Sequence, residues 1–138
     1  MTYDKLRIGK IVADIERFFL DLDKMGVHNE NNLRDEKTFY AVSMLLFSLL
    51  NRFIDLAGEI VTAERLGTPG TYKDIFRLLV KHKIISPLIG KHCSNLVYAR
   101  NLLAHEYQDF TEKDVFQIYK KIKIIQSFAD EVKKRVKK

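Results

Sequence analysis

The chain has 138 residues, of which 46% are hydrophobic and 30% are charged, and this fits one globular domain spanning residues 1–138. The low content of proline (two residues) and glycine (six residues) is typical of a helical protein. The single cysteine excludes an internal disulfide, so a reducing, cytoplasmic setting is expected. No signal segment and no uninterrupted apolar run of about twenty residues is present, so no membrane partner is expected. The net charge of +6 favours anionic partners.

Two long helices are predicted in the first half of the chain. Apolar residues in steps of three and four predict a helix from about Tyr3 to Met25, which ends near Gly26. After a connection rich in asparagine, the same pattern predicts a helix from about Arg34 to Leu66, roughly 50 Å long. A second apolar series lies on this helix at Tyr40, Phe47, Leu50, Ile54 and Val61. The helix is therefore predicted to be central, or shared with a partner chain.

Two capping patterns predict helix starts in the second half. Turn residues from Gly67 to Gly70 end the long helix, and Thr71 followed three residues later by Asp74 predicts a short helix. Thr111 and Asp114 repeat this pattern. They open a last helix in which apolar steps of three and four continue nearly to the end of the chain.

Another helix begins at Ser86, an N-cap residue that is followed by proline at the first helical position, after a break near Ile84. No segment reads as a strand. Because helices joined by short connections tend to pack antiparallel, the expected fold is all-α. Its expected architecture is an up-and-down four-helix bundle with one short additional helix. The apolar surface left over on the long second helix predicts a homodimer.

The fourth long segment ends in the run Arg100-Asn101-Leu102-Leu103-Ala104-His105-Glu106-Tyr107, which is suited to chemistry on phosphate. On a regular helix Asn101 and His105 share one face, whereas Arg100 and His105 lie roughly 140° apart and do not meet by spacing alone. Three arrangements would bring them together. The arginine side chain bends part of the way, the helix loses regularity near His105, or the second group comes from another copy of the chain.

These residues resemble the motif of the HEPN superfamily, and most closely that of its short HepT-like toxins, which pair with a minimal nucleotidyltransferase (MNT) antitoxin. The family motif is arginine, a polar residue and then histidine, and HepT-like toxins carry tyrosine two residues after the histidine. The matching positions are Arg100, Asn101, His105 and Tyr107. The long second helix is also similar, at Asn51, Arg52, Asp55 and Glu59. So are the short helix from Thr71 and the final helix, and the resemblance covers nearly the whole chain.

The resemblance implies a metal-independent endoribonuclease without a cofactor, acting on tRNA or mRNA as the toxin of a toxin-antitoxin pair. Two Arg-to-His segments of a homodimer would face each other across one cleft. Arg100 would hold the scissile phosphate, and His105 would transfer protons near neutral pH. Asn101 would orient the imidazole or contact the phosphate. Attack of a 2′-hydroxyl on the adjacent phosphate would give a 2′,3′-cyclic phosphate and a 5′-hydroxyl.

The resemblance also implies regulation at Tyr107, because in HepT-like toxins the antitoxin transfers AMP units to this tyrosine. A bulky anion beside Arg100 would occupy the phosphate site and repel RNA. The alternative function is a non-catalytic helical partner or substrate-binding subunit of a nucleotidyltransferase, since some HEPN proteins lack the arginine and histidine. The intact pair Arg100 and His105 favours the enzyme.

The remaining polar residues are expected to be structural. His28, His82, His92 and Cys93 do not have the spacing of a metal-ligand set, and Cys93 is expected in the core. Asp55 and Glu59 are expected to form a salt-bridged face with Arg52, although one of them could border the cleft and position Arg100. Aromatic residues are assigned to packing at Phe18, Phe19, Phe39, Phe47 and Phe53. A solvated basic helix end is expected at Lys133, Lys134, Arg135, Lys137 and Lys138.

Overall fold

A computed structural model of the chain describes residues 2–105 and 109–137, and these residues form helices and no strand. The predicted all-α fold is thereby confirmed. The helices are α1 (Lys5–Lys24), α2 (Glu36–Ala63), α3 (Tyr72–Lys81), α4 (Pro87–Ala104), α5 (Glu112–Tyr119) and α6 (Lys123–Lys137). A short 3₁₀ helix, Glu30–Arg34, lies in the asparagine-rich connection between α1 and α2, where no helix is predicted from the sequence.

The helix α2 lies at the centre of the fold, in contact with α1, α3, α4, α5 and α6. Three residues of its second apolar series, Leu50, Ile54 and Val61, are buried within the chain itself. The predicted central position is therefore correct. With 28 residues, α2 is roughly 42 Å long at 1.5 Å per residue, shorter than predicted. It begins one residue after Asp35, whose carboxylate accepts a hydrogen bond from the backbone N–H of Thr38 over 3.0 Å and caps the helix.

The apolar character of α2 has a structural explanation. Although polar residues interrupt its apolar runs, α2 is long and apolar enough to cross a membrane by length and composition alone, with a mean hydropathy of 1.4 over its most apolar window. The central helix of a packed helical domain has the same composition. Because five other α-helices contact α2, most of its apolar side chains are buried in the core.

The predicted helix starts are confirmed by their capping hydrogen bonds. The Thr71 hydroxyl accepts a hydrogen bond from the N–H of Asp74 over 3.2 Å, and the Asp74 carboxylate accepts one from the N–H of Thr71 over 3.1 Å. The same reciprocal pair forms between Thr111 and Asp114. Ser86 caps α4, with proline at the next position. Side-chain caps therefore fix where each of these helices begins.

The prediction of one continuous last helix is wrong. The helix α5 ends at Tyr119 and α6 begins at Lys123, so a turn separates two helices. The apolar steps nevertheless continue through the turn, because Ile118, Ile122 and Ile125 are all buried. The turn keeps Ile122 in the core, and α5 packs on α2 and the 3₁₀ helix whereas α6 packs on α1 and α2. Periodicity alone therefore did not reveal the break.

Candidate functional site

The guanidinium of Arg100 is held between α4 and α2. Arg100 lies in the last turns of α4, half-buried, and its Nε donates a hydrogen bond to Oδ1 of Asn51 on α2 over 2.8 Å. Its Nη1 donates a second hydrogen bond, to Oδ1 of the neighbouring Asn101 over 3.1 Å. Two neutral amide oxygens thus fix the orientation of the guanidinium without cancelling its charge.

Two aromatic rings also contact this guanidinium. The central carbon of the guanidinium lies 5.4 Å from the ring centroid of Phe47 on α2 and 5.0 Å from that of Tyr72 on α3. Both distances are within the range of cation–π attraction. The assignment of Phe47 to packing alone is therefore incomplete, because its ring is also a wall of the arginine site.

The charge of Arg100 is not paired within the described part of the chain. None of the ion pairs formed among residues 2–105 and 109–137 includes Arg100. A guanidinium has five N–H donors, and contacts with the described residues use two of them. Donors therefore remain for the oxygens of an anion such as a phosphate, whose geometry matches the guanidinium fork.

Asn101 accepts a hydrogen bond from Arg100, and this bond engages the oxygen of its side-chain amide. Because its Oδ1 accepts from Arg100, its amide NH2 is the part left for another partner. Asn101 also borders a cavity of about 810 Å³ between the start of α3 and the end of α4. The structure therefore gives Asn101 a role in holding Arg100 that its place in the sequence motif did not indicate.

His105 lies immediately after α4, as its C-cap residue, with an extended backbone at φ −89° and ψ 108°. The helix therefore loses its regularity at this residue, as one of the three arrangements considered for Arg100 and His105 requires. The angle of 140° on a regular helix consequently does not apply to this pair. Tyr107, the predicted modification site, lies outside the described residues.

Comparison with known proteins identifies the family. Residues 8–134 match the family model described as ribonuclease HepT-like. The chain belongs to the HepT-like ribonuclease family. A curated relative, the mRNA nuclease HepT of Shewanella oneidensis, is 32% identical over 56 residues, which are 41% of this chain and 42% of that protein. The match therefore spans less than half of the relative's length.

Solved structures share the fold of this HepT-like chain. The structure of a tri-AMPylated Shewanella oneidensis HEPN toxin in complex with MNT antitoxin has a TM-score of 0.80 and 22% identity, covering 91% of this chain and 96% of the other. The cytosolic protein of unknown function YutE from Bacillus subtilis has a TM-score of 0.74 and 21% identity, covering 98% and 89%. At these identities the likeness shows a common fold.

The carboxylates of α2 in this HepT-like chain form ion pairs with arginines, as predicted. Arg52 lies 3.3 Å from Asp55 and 2.8 Å from Asp14 on α1. Glu59, however, pairs with Arg7 of α1, at 3.0 Å, and not with Arg52. The Arg52–Asp14 and Arg7–Glu59 pairs join α1 to α2. Arg100 is positioned by the neutral Asn51 and not by either carboxylate, a difference that preserves its charge.

Cys93 is buried in the core, as predicted, with none of its surface exposed. Burial raises the pKa of its thiol to about 12, so the thiolate form is disfavoured at neutral pH. Among residues 2–105 and 109–137, no three His, Cys, Asp or Glu side chains are close enough together to hold a metal ion.

The basic C-terminal helix is tied to the domain, and the prediction of a merely solvated charge run is wrong for two of its residues. Lys133 pairs with Glu16 of α1 at 2.9 Å. Arg135 donates two hydrogen bonds to Glu64, over 2.8 and 3.0 Å, and Tyr3 donates to the same carboxylate. The carboxylates responsible lie on other segments, which the sequence of the tail could not indicate.

Proposed function

We propose that this HepT-like chain is a metal-independent endoribonuclease and the toxin of a toxin-antitoxin pair. The observation that carries the proposal is the state of Arg100. Its guanidinium is fixed by two amides and two aromatic rings, and no ion pair with the described residues neutralises it. A cation prepared in this way, followed closely by a histidine at the helix end, is suited to binding a phosphodiester.

The proposed reaction uses one phosphate and two proton transfers. The 2′-oxygen of a ribose forms a bond to the adjacent phosphorus, and the bond between that phosphorus and the 5′-oxygen breaks. Arg100 stabilises the additional negative charge on the five-coordinate phosphorus. An imidazole accepts the 2′-hydroxyl proton, and a second proton is given to the departing 5′-oxygen. Two copies of His105 in a symmetric cleft would perform both transfers.

A homodimer supplies that second copy. On α2, the exposed Tyr40 and Met44 continue at helical spacing into Phe47 and Asn51, the residues that contact Arg100. Tyr40 and Met44 are 61% and 63% exposed, so this stripe lacks a cover within the described chain. A second copy seated on the stripe would bury it and bring the two arginine sites together.

The proposed arrangement of the helices is a four-helix bundle. We regard α1, α2, α4 and the α5–α6 pair as the four long members of an up-and-down bundle, with α3 as the short additional helix. The packing of α1, α4, α5 and α6 on α2 supports this arrangement. It leaves the Tyr40–Met44 side of α2 available to the second copy.

The proposed protein partner is an MNT-type nucleotidyltransferase antitoxin. A HEPN toxin of the same fold is tri-AMPylated in its complex with an MNT antitoxin. We propose that Tyr107 is the modified residue in this chain, where the added AMP would introduce negative charge into the sequence segment that carries Arg100. A Tyr107→Phe variant should cleave RNA but escape silencing by the antitoxin. Silencing of this variant that still requires nucleotidyl transfer would refute the assignment.

The nuclease proposal is tested with purified protein and total RNA in EDTA. New ends with 2′,3′-cyclic phosphate and 5′-hydroxyl groups are expected from the unmodified protein, and none from Arg100→Gln or His105→Ala. Arg34→Gln, which removes an exposed arginine from the 3₁₀ helix, is the matched control and should cleave normally. Activity that requires a divalent metal, or that survives His105→Ala, would contradict the proposed chemistry.

A further inference from the structure

A cavity adjoins the arginine site on the side of α3. Its volume is about 810 Å³, within the range of about 300–1,000 Å³ that ligand pockets occupy. The first turn of α3 and the last turns of α4 form its walls, with Tyr72, Lys73, Arg77 and Asn101 among the lining residues. Two of these residues, Tyr72 and Asn101, also contact the guanidinium of Arg100. The cavity and the arginine site therefore share walls.

We propose that this cavity binds the nucleoside next to the scissile linkage, with its base stacked on Tyr72. This inference rests on the nuclease function proposed above. One face of the Tyr72 ring is directed at Arg100, and the side chain is nevertheless 43% exposed. Single-stranded RNA is commonly bound by stacking of its bases on such exposed aromatic rings. A phosphate held by Arg100 would place a neighbouring base beside this ring.

The polar groups of the cavity fit a nucleoside. The Asn101 amide presents its NH2 group because its oxygen is engaged by Arg100, and an NH2 donor can bind a base or ribose oxygen. Lys73 is exposed at the cavity and takes part in none of the ion pairs within the described residues, so it is suited to a flanking phosphate. Arg77 contributes less charge, since it pairs with Asp74 at 2.8 Å.

The backbone at the start of α3 is not the recognition element. The N–H groups of Gly70 and Thr71 both donate to the Asp74 carboxylate, over 3.2 and 3.1 Å. An anion at this helix end would have to displace that carboxylate. Recognition is therefore assigned to the Tyr72 ring, the Asn101 amide and Lys73, which together favour a base with a neighbouring phosphate over a free phosphate.

The test is a coupling experiment between Tyr72 and the bases of the RNA. Binding of a short fluorescent single-stranded RNA is measured with His105→Ala protein, so that the RNA stays intact. A series of the same RNA carries one abasic nucleotide at each successive position. Loss of the stacked base should weaken binding by about 5-fold to 100-fold, from the usual strength of base–aromatic stacking. Protein that also carries Tyr72→Leu should bind the intact RNA and the same abasic RNA with equal affinity, because the stacking partner on the protein is already missing.

Two further variants separate stacking from other roles of these residues. Tyr72→Phe should retain the coupling, since the ring remains. Lys73→Gln should reduce the salt dependence of RNA binding by about one phosphate contact, whereas Lys81→Gln, an equal loss of charge on an exposed lysine at the other end of α3, should leave it unchanged.

The outcomes distinguish the nucleoside site from the nuclease function. If Tyr72→Leu weakens the intact and abasic RNAs equally, Tyr72 only positions Arg100 and the nucleoside site is refuted. The site is also refuted if no abasic position weakens binding to protein with Tyr72. If the unmodified protein cleaves RNA but Tyr72 shows no coupling to any abasic position, the nuclease function is retained and the nucleoside site is refuted. If Tyr72 is coupled to one abasic position but the unmodified protein cleaves no RNA, the nucleoside site is supported and the nuclease function is refuted.

Discussion

Arg100 and Asn51 connect the end of α4 to the centre of α2 through a single hydrogen bond of 2.8 Å, from Nε to the amide oxygen. The partner is neutral, so this contact orients the guanidinium without pairing it with a carboxylate. An acidic residue at position 51 would orient it equally well but would compensate the charge that a phosphate needs. Orientation and charge are therefore separable at this residue by substitution.

Replacement of Asn51 by leucine should impair cleavage more than folding. Loss of the amide oxygen leaves Nε of Arg100 without its partner on α2, and a misplaced catalytic group can reduce the rate by about 100-fold. We expect kcat to fall by about 10-fold to 100-fold with a smaller change in KM, measured on a short RNA substrate, and a nearly unchanged midpoint of urea unfolding.

The Asn51→Asp variant is the matched comparison. It should retain the orientation of Arg100 and the stability of the domain, but RNA binding should weaken because the guanidinium is now paired. Asn95→Leu, at an exposed position on α4, should leave both cleavage and binding unchanged. Equal effects of leucine and aspartate at position 51 on kcat and on binding would show that Asn51 does not separate orientation from charge.

The sequence predicted the helices better than it predicted the arginine site. Apolar periodicity and capping residues such as Thr71 and Ser86 are local, and they placed the helix starts correctly. Apart from its hydrogen bond to the adjacent Asn101, the contacts of Arg100 connect residues far apart in the chain, 49 positions in the case of Asn51, and no local rule reveals them. Asn51 did leave one signal, as an amide in the apolar middle of α2. The break between α5 and α6 was hidden because its turn keeps the apolar spacing.

Gly90 in α4 should not tolerate a larger side chain. A Cβ atom at this position would overlap Cγ2 of Val80 on α3, so the Val80 side chain or one of the two helices must shift. We expect Gly90→Ala to lower the free energy of unfolding by about 1–3 kcal/mol, the usual cost of overpacking. Urea unfolding followed by circular dichroism measures the change.

Gly58 in α2 is the matched control for Gly90. Its added Cβ would meet only Cδ1 of Ile75, at an ordinary contact distance of 3.9 Å. Since alanine is favoured over glycine inside helices, Gly58→Ala should be neutral or stabilise the domain by up to about 1 kcal/mol. The addition of Val80→Ala should relieve part of the cost of Gly90→Ala. Failure of this second substitution to relieve it would mean that the two side chains do not clash.

The ion pair between Glu64 and Arg135 should make stability depend on pH in the acid range. The pKa of Glu64 is lowered from its ordinary value of 4.5, chiefly because Arg135 donates hydrogen bonds to the carboxylate. A lowered pKa in the folded state stabilises the protein above about pH 4.5, and this contribution is lost as the pH falls through the folded pKa. Glu64→Gln should therefore reduce the free energy of unfolding at pH 7 by about 1–2 kcal/mol, allowing for solvent screening of Arg135.

The comparison of pH values isolates this charge effect. At pH 3 the difference between Glu64→Gln and the unmodified protein should be smaller, because pH 3 lies below the ordinary pKa of 4.5 and the stabilisation that comes from the lowered pKa declines there. Glu131→Gln removes a carboxylate that is 74% exposed and paired with Lys134 within α6, so it should change stability by less than about 0.5 kcal/mol at either pH. If Glu64→Gln lowers the free energy of unfolding by the same amount at pH 7 and pH 3, the loss comes from packing and not from the charge of Glu64.

A negative charge placed at Met44 should separate the proposed dimer and silence the enzyme together. Met44 is 63% exposed in the stripe that leads to Asn51, and a glutamate introduced there would bring two carboxylates close to each other when the stripe is buried against its own copy. Met44→Glu is therefore expected to elute as a monomer in size-exclusion chromatography with light scattering. Its cleavage rate should fall by at least about 10-fold, because a monomer lacks the second His105. Leu20→Glu, which changes a similarly exposed residue of α1, should leave mass and rate unchanged. A Met44→Glu monomer with full activity would show that one chain contains a complete site.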